Sequence, residues 1–185
     1  MGKKDIRLVR IDKNFKDLDK IKEINNEAFP PNERFAMEKF LELEEAGFGY
    51  VQAIYDGDML VGFAVICYSD TLHLILYFAI DKSLRGEGYG TEIVKTLKEH
   101  ASDDGKKRVY ILDVESPDPE SDNYKQRKDR IRFYKKLGYE MTNLKFTERG
   151  GEFTVMADSD GMTEEEIDKE YDLIDEKWQK LISNK

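Results

Sequence analysis

Apolar residues recur along this chain at two periods, and each change of period marks an element. Asp5–Ile11 alternates polar with apolar, as a strand does. From Asn14 to about Phe29, the set Phe15, Leu18, Ile21, Ile24 and Ala28 repeats every three or four residues, which predicts a helix ended by Pro30-Pro31. A second helix is expected over roughly Glu33–Glu45, closed by Gly47. Strand periodicity then returns. Tyr50–Tyr55 and Met59–Tyr68 flank Asp56-Gly57-Asp58, a hairpin signal, and Leu72–Ile80 follows a Ser69-Asp70 turn.

A glycine-rich stretch, Asp81–Gly90, separates that strand from a helix at Thr91–His100 with Ile93, Val94 and Leu97 on one side. Arg108–Glu115 reads as a strand broken by Pro117 and Pro119, with an acidic loop beyond it to Asn123. Tyr124–Leu137 reads as a helix stopped by Gly138. Tyr139–Phe146 and Glu152–Ala157 read as a hairpin around Arg149-Gly150-Gly151. Finally, Thr163–Ile182 carries Ile167, Tyr171, Ile174, Trp178 and Leu181 at amphipathic spacing, behind a Thr163/Glu166 capping box. That apolar seam needs cover, from its own domain or from a second copy in a homodimer.

The expected order is β-α-α-β-β-β-α-β-α-β-β plus a terminal helix. Antiparallel hairpins precede a strand–loop–helix–strand crossover, which requires a parallel pair. The fold class is therefore α/β (α+β), a mixed and mostly antiparallel sheet flanked by helices. No repeat or linker divides the chain, so residues 1–160 form one domain and 161–185 its helical extension.

Charge narrows the partners. Among 185 residues, 39 acids against 30 bases give a formal net charge of −9. Nucleic acid would need a basic footprint, whereas this balance favours cationic partners. The charged start, Met1-Gly2-Lys3-Lys4-Asp5, does not resemble a secretory signal, and Ile6 stands where a myristoylation pattern wants Ser or Thr. The apolar runs Met59–Tyr68 and Leu72–Ile80 are about half the ~20 residues of a membrane helix. With one cysteine, Cys67, and thus no internal disulfide, a cytoplasmic protein off the membrane is expected.

The sharpest local feature is Arg85-Gly86-Glu87-Gly88-Tyr89-Gly90-Thr91, between an apolar strand and a helix. The first N–H groups of a helix lack internal partners, the helix dipole is positive there, and glycines let an anion approach closely. An acidic protein can thus hold a diphosphate. The nucleotide P-loop is excluded because Thr91-Glu92 follows Gly90 without a lysine. The dinucleotide fingerprint G-x-G-x-x-G, started at Gly86, reaches Thr91 instead of its third glycine.

The match is to Arg-x-x-Gly-x-Gly at Arg85, Gly88 and Gly90. Together with Arg132-Phe133-Tyr134-Lys135-Lys136-Leu137-Gly138-Tyr139 and the element order, it resembles the GNAT superfamily of acyl-CoA N-acyltransferases across roughly residues 5–158. Lys82 departs from the proline that many members have after the corresponding strand. The tail helix lies outside the common pattern.

The resemblance implies acetyl-CoA as cosubstrate and a primary amine, small-molecule or peptide, as acceptor. It implies that Arg85, Gly86, Glu87, Gly88, Tyr89, Gly90 and Thr91 hold the pyrophosphate, mainly through backbone N–H. The backbone of Phe78, Ala79 and Ile80 would pair with the pantetheine arm, and one N–H there would polarise the thioester carbonyl. The central strands Leu76–Ile80 and Tyr110–Glu115 would splay to make the acyl slot. Tyr134 is the expected proton donor to the departing thiolate. A CoA-binding sensor or interaction module without turnover is the competing class.

For the base, Glu115 ends a strand at the expected splay and could act through a water, with Glu33 on the Phe29–Arg34 connection, or water alone, as the rivals. His73 sits early on its strand and His100 ends a helix, where a cation suits the dipole. Cys67 lies in an apolar strand and reads as core. No His, Cys, Asp or Glu spacing suggests a metal site. Lys125, Arg127, Lys128, Arg130, Arg132, Lys135 and Lys136 read mainly as a solvated helix face, with a contact to the cofactor's 3′-phosphate as the functional alternative. Glu115, Asp118, Glu120 and Asp122 read as a polar loop or as an acidic mouth for an amine.

Overall fold

The computed structural model describes residues 4–100, 108–148, 150–158 and 161–183. Arg149 of the expected turn, Met1–Lys3 and the boundary at residue 160 lie outside the described residues. In chain order the elements are β1 (Ile6–Arg10), α1 (Leu18–Ala28), α2 (Met37–Glu45), β2 (Gly49–Asp56), β3 (Met59–Tyr68) and β4 (Leu72–Ile80). A 3-10 turn at Lys82–Leu84 leads to α3 (Tyr89–Glu99), β5 (Val109–Glu115), α4 (Tyr124–Lys136), β6 (Tyr139–Glu148), β7 (Gly151–Asp158) and α5 (Glu164–Ser183).

The strands form one seven-stranded sheet in the order β1-β2-β3-β4-β5-β7-β6. Every neighbouring pair is antiparallel except β4–β5, the parallel pair that the crossover through α3 requires. Helices cover both faces. Ile21, Ile24, Met37, Phe40 and Leu43 of α1 and α2 share one core with Ile167, Ile174 and Trp178 of α5. Tyr89, Ile93, Val94 and Leu97 of α3 join Tyr134 of α4 in the other. The seam of α5 is thus covered by its own sheet, which removes the apolar stripe as an argument for a second copy. Among the described residues, no helix is long and apolar enough to cross a membrane.

Three helices begin elsewhere than their periodicity suggests. α1 starts at Leu18 rather than Asn14, because Asp12 accepts from the Asn14 and Phe15 N–H groups and holds a turn. α2 starts at Met37 rather than Glu33, since Pro30 makes a turn with the Glu33 N–H. α3 starts at Tyr89, two residues before Thr91. The capping box of α5 forms as read: Thr163 N–H donates to Glu166 Oε2 at 2.8 Å, and Glu166 N–H donates to Thr163 Oγ1 at 3.3 Å.

Candidate active site

The site lies where β4 and β5 part. Their pairing runs from Leu72↔Val109 to Ile75↔Leu112 and stops. At the same point β4 carries an extra residue against β3: Ile66 pairs with Ile75 and Val65 with Tyr77, leaving Leu76 bulged. A bulge bends its strand and shifts the alternation of side chains by one. Tyr77 and Ala79 therefore stay with Leu74 and Leu76 on the α1–α2–α5 face, while Phe78 and Ile80 turn to α3 and α4. Beyond the bulge, Leu76–Ile80 keeps β3 on one edge and, among the described residues, has no strand on the other. The gap is a cleft of about 520 Å³, lined by Phe78, Ala79, Ile80, Arg85, Asp113 and Tyr134 among others.

The glycine loop ends beside this cleft. Gly88, at φ +83°, is the N-cap of α3, and no side chain of the described residues caps the helix. Because α3 begins at Tyr89, the N–H groups of Tyr89, Gly90 and Thr91 form its first turn, where intrahelical partners are lacking. Gly90 is also a packing glycine, since a Cβ there would stand 3.1 Å from the Phe133 ring. Tyr89 itself is buried and donates its hydroxyl to Asp56 at 2.9 Å, so only its backbone faces the loop's task. Arg85 Nε donates to the Ile80 carbonyl at 3.1 Å, which holds the guanidinium at the end of β4; Glu87 is exposed. Uncapped N–H groups, an unpaired β4 edge and a cleft between them fit a diphosphate joined to an extended amide-bearing arm.

Tyr134 reaches the cleft from α4, edge-on to Phe133 and Tyr139. Burial pushes its phenol up to about 12, with Arg130 pulling the other way, so the hydroxyl keeps its proton at neutral pH.

Glu115 and Glu33 both line the cleft and a second, overlapping cavity of about 340 Å³. The Glu115 carboxylate is ion-paired with Arg127 at 3.0 Å and Arg130 at 3.3 Å, and Asn123 donates to it at 3.2 Å. The Glu33 carbonyl accepts from the Tyr77 hydroxyl. His73 packs against Tyr68 and Tyr110, and His100 Nδ1 lies 2.8 Å from the Thr96 carbonyl; neither lines these cavities. Cys67 is buried, which pushes its thiol up and keeps it protonated. Most of the basic run on α4 is exposed. Asp118 accepts the Glu120 N–H at 3.0 Å, a local turn contact.

Sequence reasoning missed Asp113. It lines both cavities, and its Oδ2 accepts the Tyr171 hydroxyl from α5 at 3.0 Å. The residue keeps some exposure, yet Oδ1 is covered and has no hydrogen-bond partner among the described residues. Burial raises the carboxyl from 3.8 to about 7; Tyr171 opposes the rise, while Glu148 and Asp175 add to it. The available signal was an acid in alternation with Val109 and Ile111, on a face that is otherwise core.

The fold is thus a mixed sheet whose parallel pair β4–β5 opens beside the N-terminus of α3, with the Tyr134 phenol and the Asp113 carboxyl lining the gap. The acetyltransferase (GNAT) family model matches residues 18–139, more than half of the chain, and the protein belongs to that family. Among solved structures, one assigned to the GNAT family as an acetyltransferase from Bacteroides thetaiotaomicron shares 24% identity at TM-score 0.72, covering 88% of this chain and 92% of that one. Arabidopsis thaliana Naa50, in complex with the bisubstrate analogue CoA-Ac-MVNAL, shares 20% at TM-score 0.59, with 83% and 98% covered. An aminoglycoside 6'-N-acetyltransferase complexed with coenzyme A shares 21% at TM-score 0.61, with 82% and 95% covered. These likenesses establish the fold. No relative is found among curated proteins.

Proposed function

We propose that the protein transfers the acetyl group of acetyl-CoA to a primary amine by direct attack. The observation that carries this reading is the coincidence of the β4 bulge with the end of β4–β5 pairing, which opens a cleft toward both the uncapped α3 N-terminus and Tyr134. The first-turn N–H groups of α3 and the loop Arg85–Thr91 hold the pyrophosphate. The Phe78–Ile80 edge takes the pantetheine arm and offers an N–H to the thioester carbonyl.

Acetyl-CoA supplies an activated acyl carbon. The neutral amine adds to that carbon, the carbon–sulfur bond breaks, and the thiolate takes a proton from Tyr134. The amine's proton goes to a carboxylate on β5. Between the two candidates, Asp113 is the better placed. Its carboxyl titrates near neutrality, whereas both Glu115 oxygens already hold cationic partners. Glu115 then orders Arg127 and Arg130 at the rim. The acceptor is a small-molecule or peptide amine; Naa50 with its peptide analogue and the aminoglycoside enzyme represent the two kinds among the structural neighbours. A cytoplasmic setting accords with a single buried thiol.

Incubation with acetyl-CoA and an amine panel, followed by free-thiol release and mass spectrometry of the acceptor, tests the reading. Amine-dependent thiol release with a 42 Da gain, about one acetyl group, is the expected result. Tight acetyl-CoA binding without release to any amine would instead mark a CoA-binding module.

A further inference from the structure

The 340 Å³ cavity has a composition of its own. Glu33 and Asp113 line both it and the cleft, so they stand at the junction. Half of the residues that line the second cavity alone are rings: Phe35 from the α1–α2 connection, Phe146 and Phe153 from the β6–β7 hairpin, and Trp178 from α5; the others are Arg127, Glu148, Gly150 and Gly151. The charged members of that set are already engaged, Arg127 with Glu115 and Glu148 with partners of its own.

The rings brace one another. Phe35 meets Trp178 edge-on at 5.0 Å between centroids, and Phe146 stacks on Phe153 at 5.5 Å and lies tilted against Tyr171 at 5.5 Å. A pocket built this way exists before its ligand arrives. Acidic groups therefore gather where the acetyl group would be delivered, and the four rings lie beyond, with Arg127 and Glu148 among them.

We propose that the acceptor is a primary amine whose nitrogen stands at this junction and whose aryl or branched aliphatic body, one to three bonds away, fills the ringed cavity. The inference rests on the acyl-transfer reading above and adds its substrate class. The same chemistry comes from a free arylalkylamine or from the first residue of a peptide. A linear diamine would instead bring a second ammonium against the rings.

The test compares kcat/KM for 2-phenylethylamine, ethylamine, 1,4-diaminobutane and two pentapeptides that differ only in a first Leu or Gly. Loss of one methylene from an apolar pocket already costs about 10- to 200-fold, so 2-phenylethylamine should exceed ethylamine by at least about 10²-fold. A Leu-over-Gly preference with faster turnover than the free amine assigns the source to peptides; the reverse assigns it to small amines. Phe153→Ala changes a half-buried hairpin residue and should shrink the 2-phenylethylamine/ethylamine ratio about tenfold, with acetyl-CoA affinity unchanged. Preference for 1,4-diaminobutane, or a ratio that Phe153→Ala leaves alone, overturns the assignment. If no amine turns over, calorimetry of 2-phenylethylamine on the CoA-loaded protein separates the two ideas. Binding that Phe153→Ala abolishes keeps the cavity assignment while acyl transfer falls; absence of binding removes the cavity assignment.

Discussion

Tyr134 and Asp113 are held toward their neutral forms by the same force, the cost of charge in a covered site, and the tasks proposed for them differ because their ordinary titration ranges differ. The phenol at about 12 is a proton reserve at neutral pH, and the carboxyl at about 7 is near the point where it gives and takes one. Tyr134→Phe keeps the ring between Phe133 and Tyr139 and deletes the proton; kcat should fall about 10²–10⁴-fold while acetyl-CoA affinity by calorimetry stays level. Asp113→Asn should cost a similar factor and erase the acidic limb of kcat/KM near pH 7, whereas Glu115→Gln should keep that limb. The opposite pair of profiles would return the base to Glu115. Stability supplies a second readout. The Asp113 carboxyl is raised in the folded chain, so the unfolded chain sheds its proton first, and the parent loses stability as pH climbs from 3.8 to about 7, then levels. Thermal melts should show Asp113→Asn gaining on the parent through that window and no further above it.

At the start of α3, the glycines act through the backbone. Gly88 sits in the left-handed region as N-cap, and its missing side chain keeps the first-turn N–H groups open. Gly88→Val introduces a branched side chain at φ +83°, where such residues are strained, at the N-cap beside those donors. Arg85→Ala removes one contact, to the Ile80 carbonyl, and leaves the N–H groups intact. Calorimetry should therefore find acetyl-CoA weakened more by Gly88→Val than by Arg85→Ala, and a folded Gly88→Val protein of full affinity would refute the loop's role. β4 depends just as closely on a glycine in its partner: a Cβ on Gly62 would lie 2.2 Å from the Ala79 carbonyl oxygen, inside the segment assigned to the pantetheine arm. The glycine motif was legible because three glycines in five residues at a strand–helix junction leave few alternatives. The exact first residue of α3 was not, since glycine has weak local preference and the turn is set by how Tyr89 anchors on Asp56.

Across the whole molecule, α5 is part of the core rather than an appendage. Trp178, the single tryptophan, lies against Phe35 and Phe40 beneath the sheet. In urea, its fluorescence should change at the same midpoint as far-UV circular dichroism; an earlier fluorescence transition would mean that α5 detaches as its own unit. Periodicity, turn residues and the crossover argument were enough for the element order, the single parallel pair, the capping box and the glycine loop, because each depends on neighbours a few residues apart in the chain. The place of Tyr134 in the cleft was legible only through its motif. The Leu76 bulge, the Arg127–Glu115–Arg130 cluster and the Tyr171–Asp113 bond were not readable at all. Each needs residues from distant elements to meet, as when Tyr171, 58 positions from Asp113, arrives on a helix docked across the sheet. An acid in a strand looks like a surface residue until burial sets its proton affinity, and burial is a property of the packed molecule.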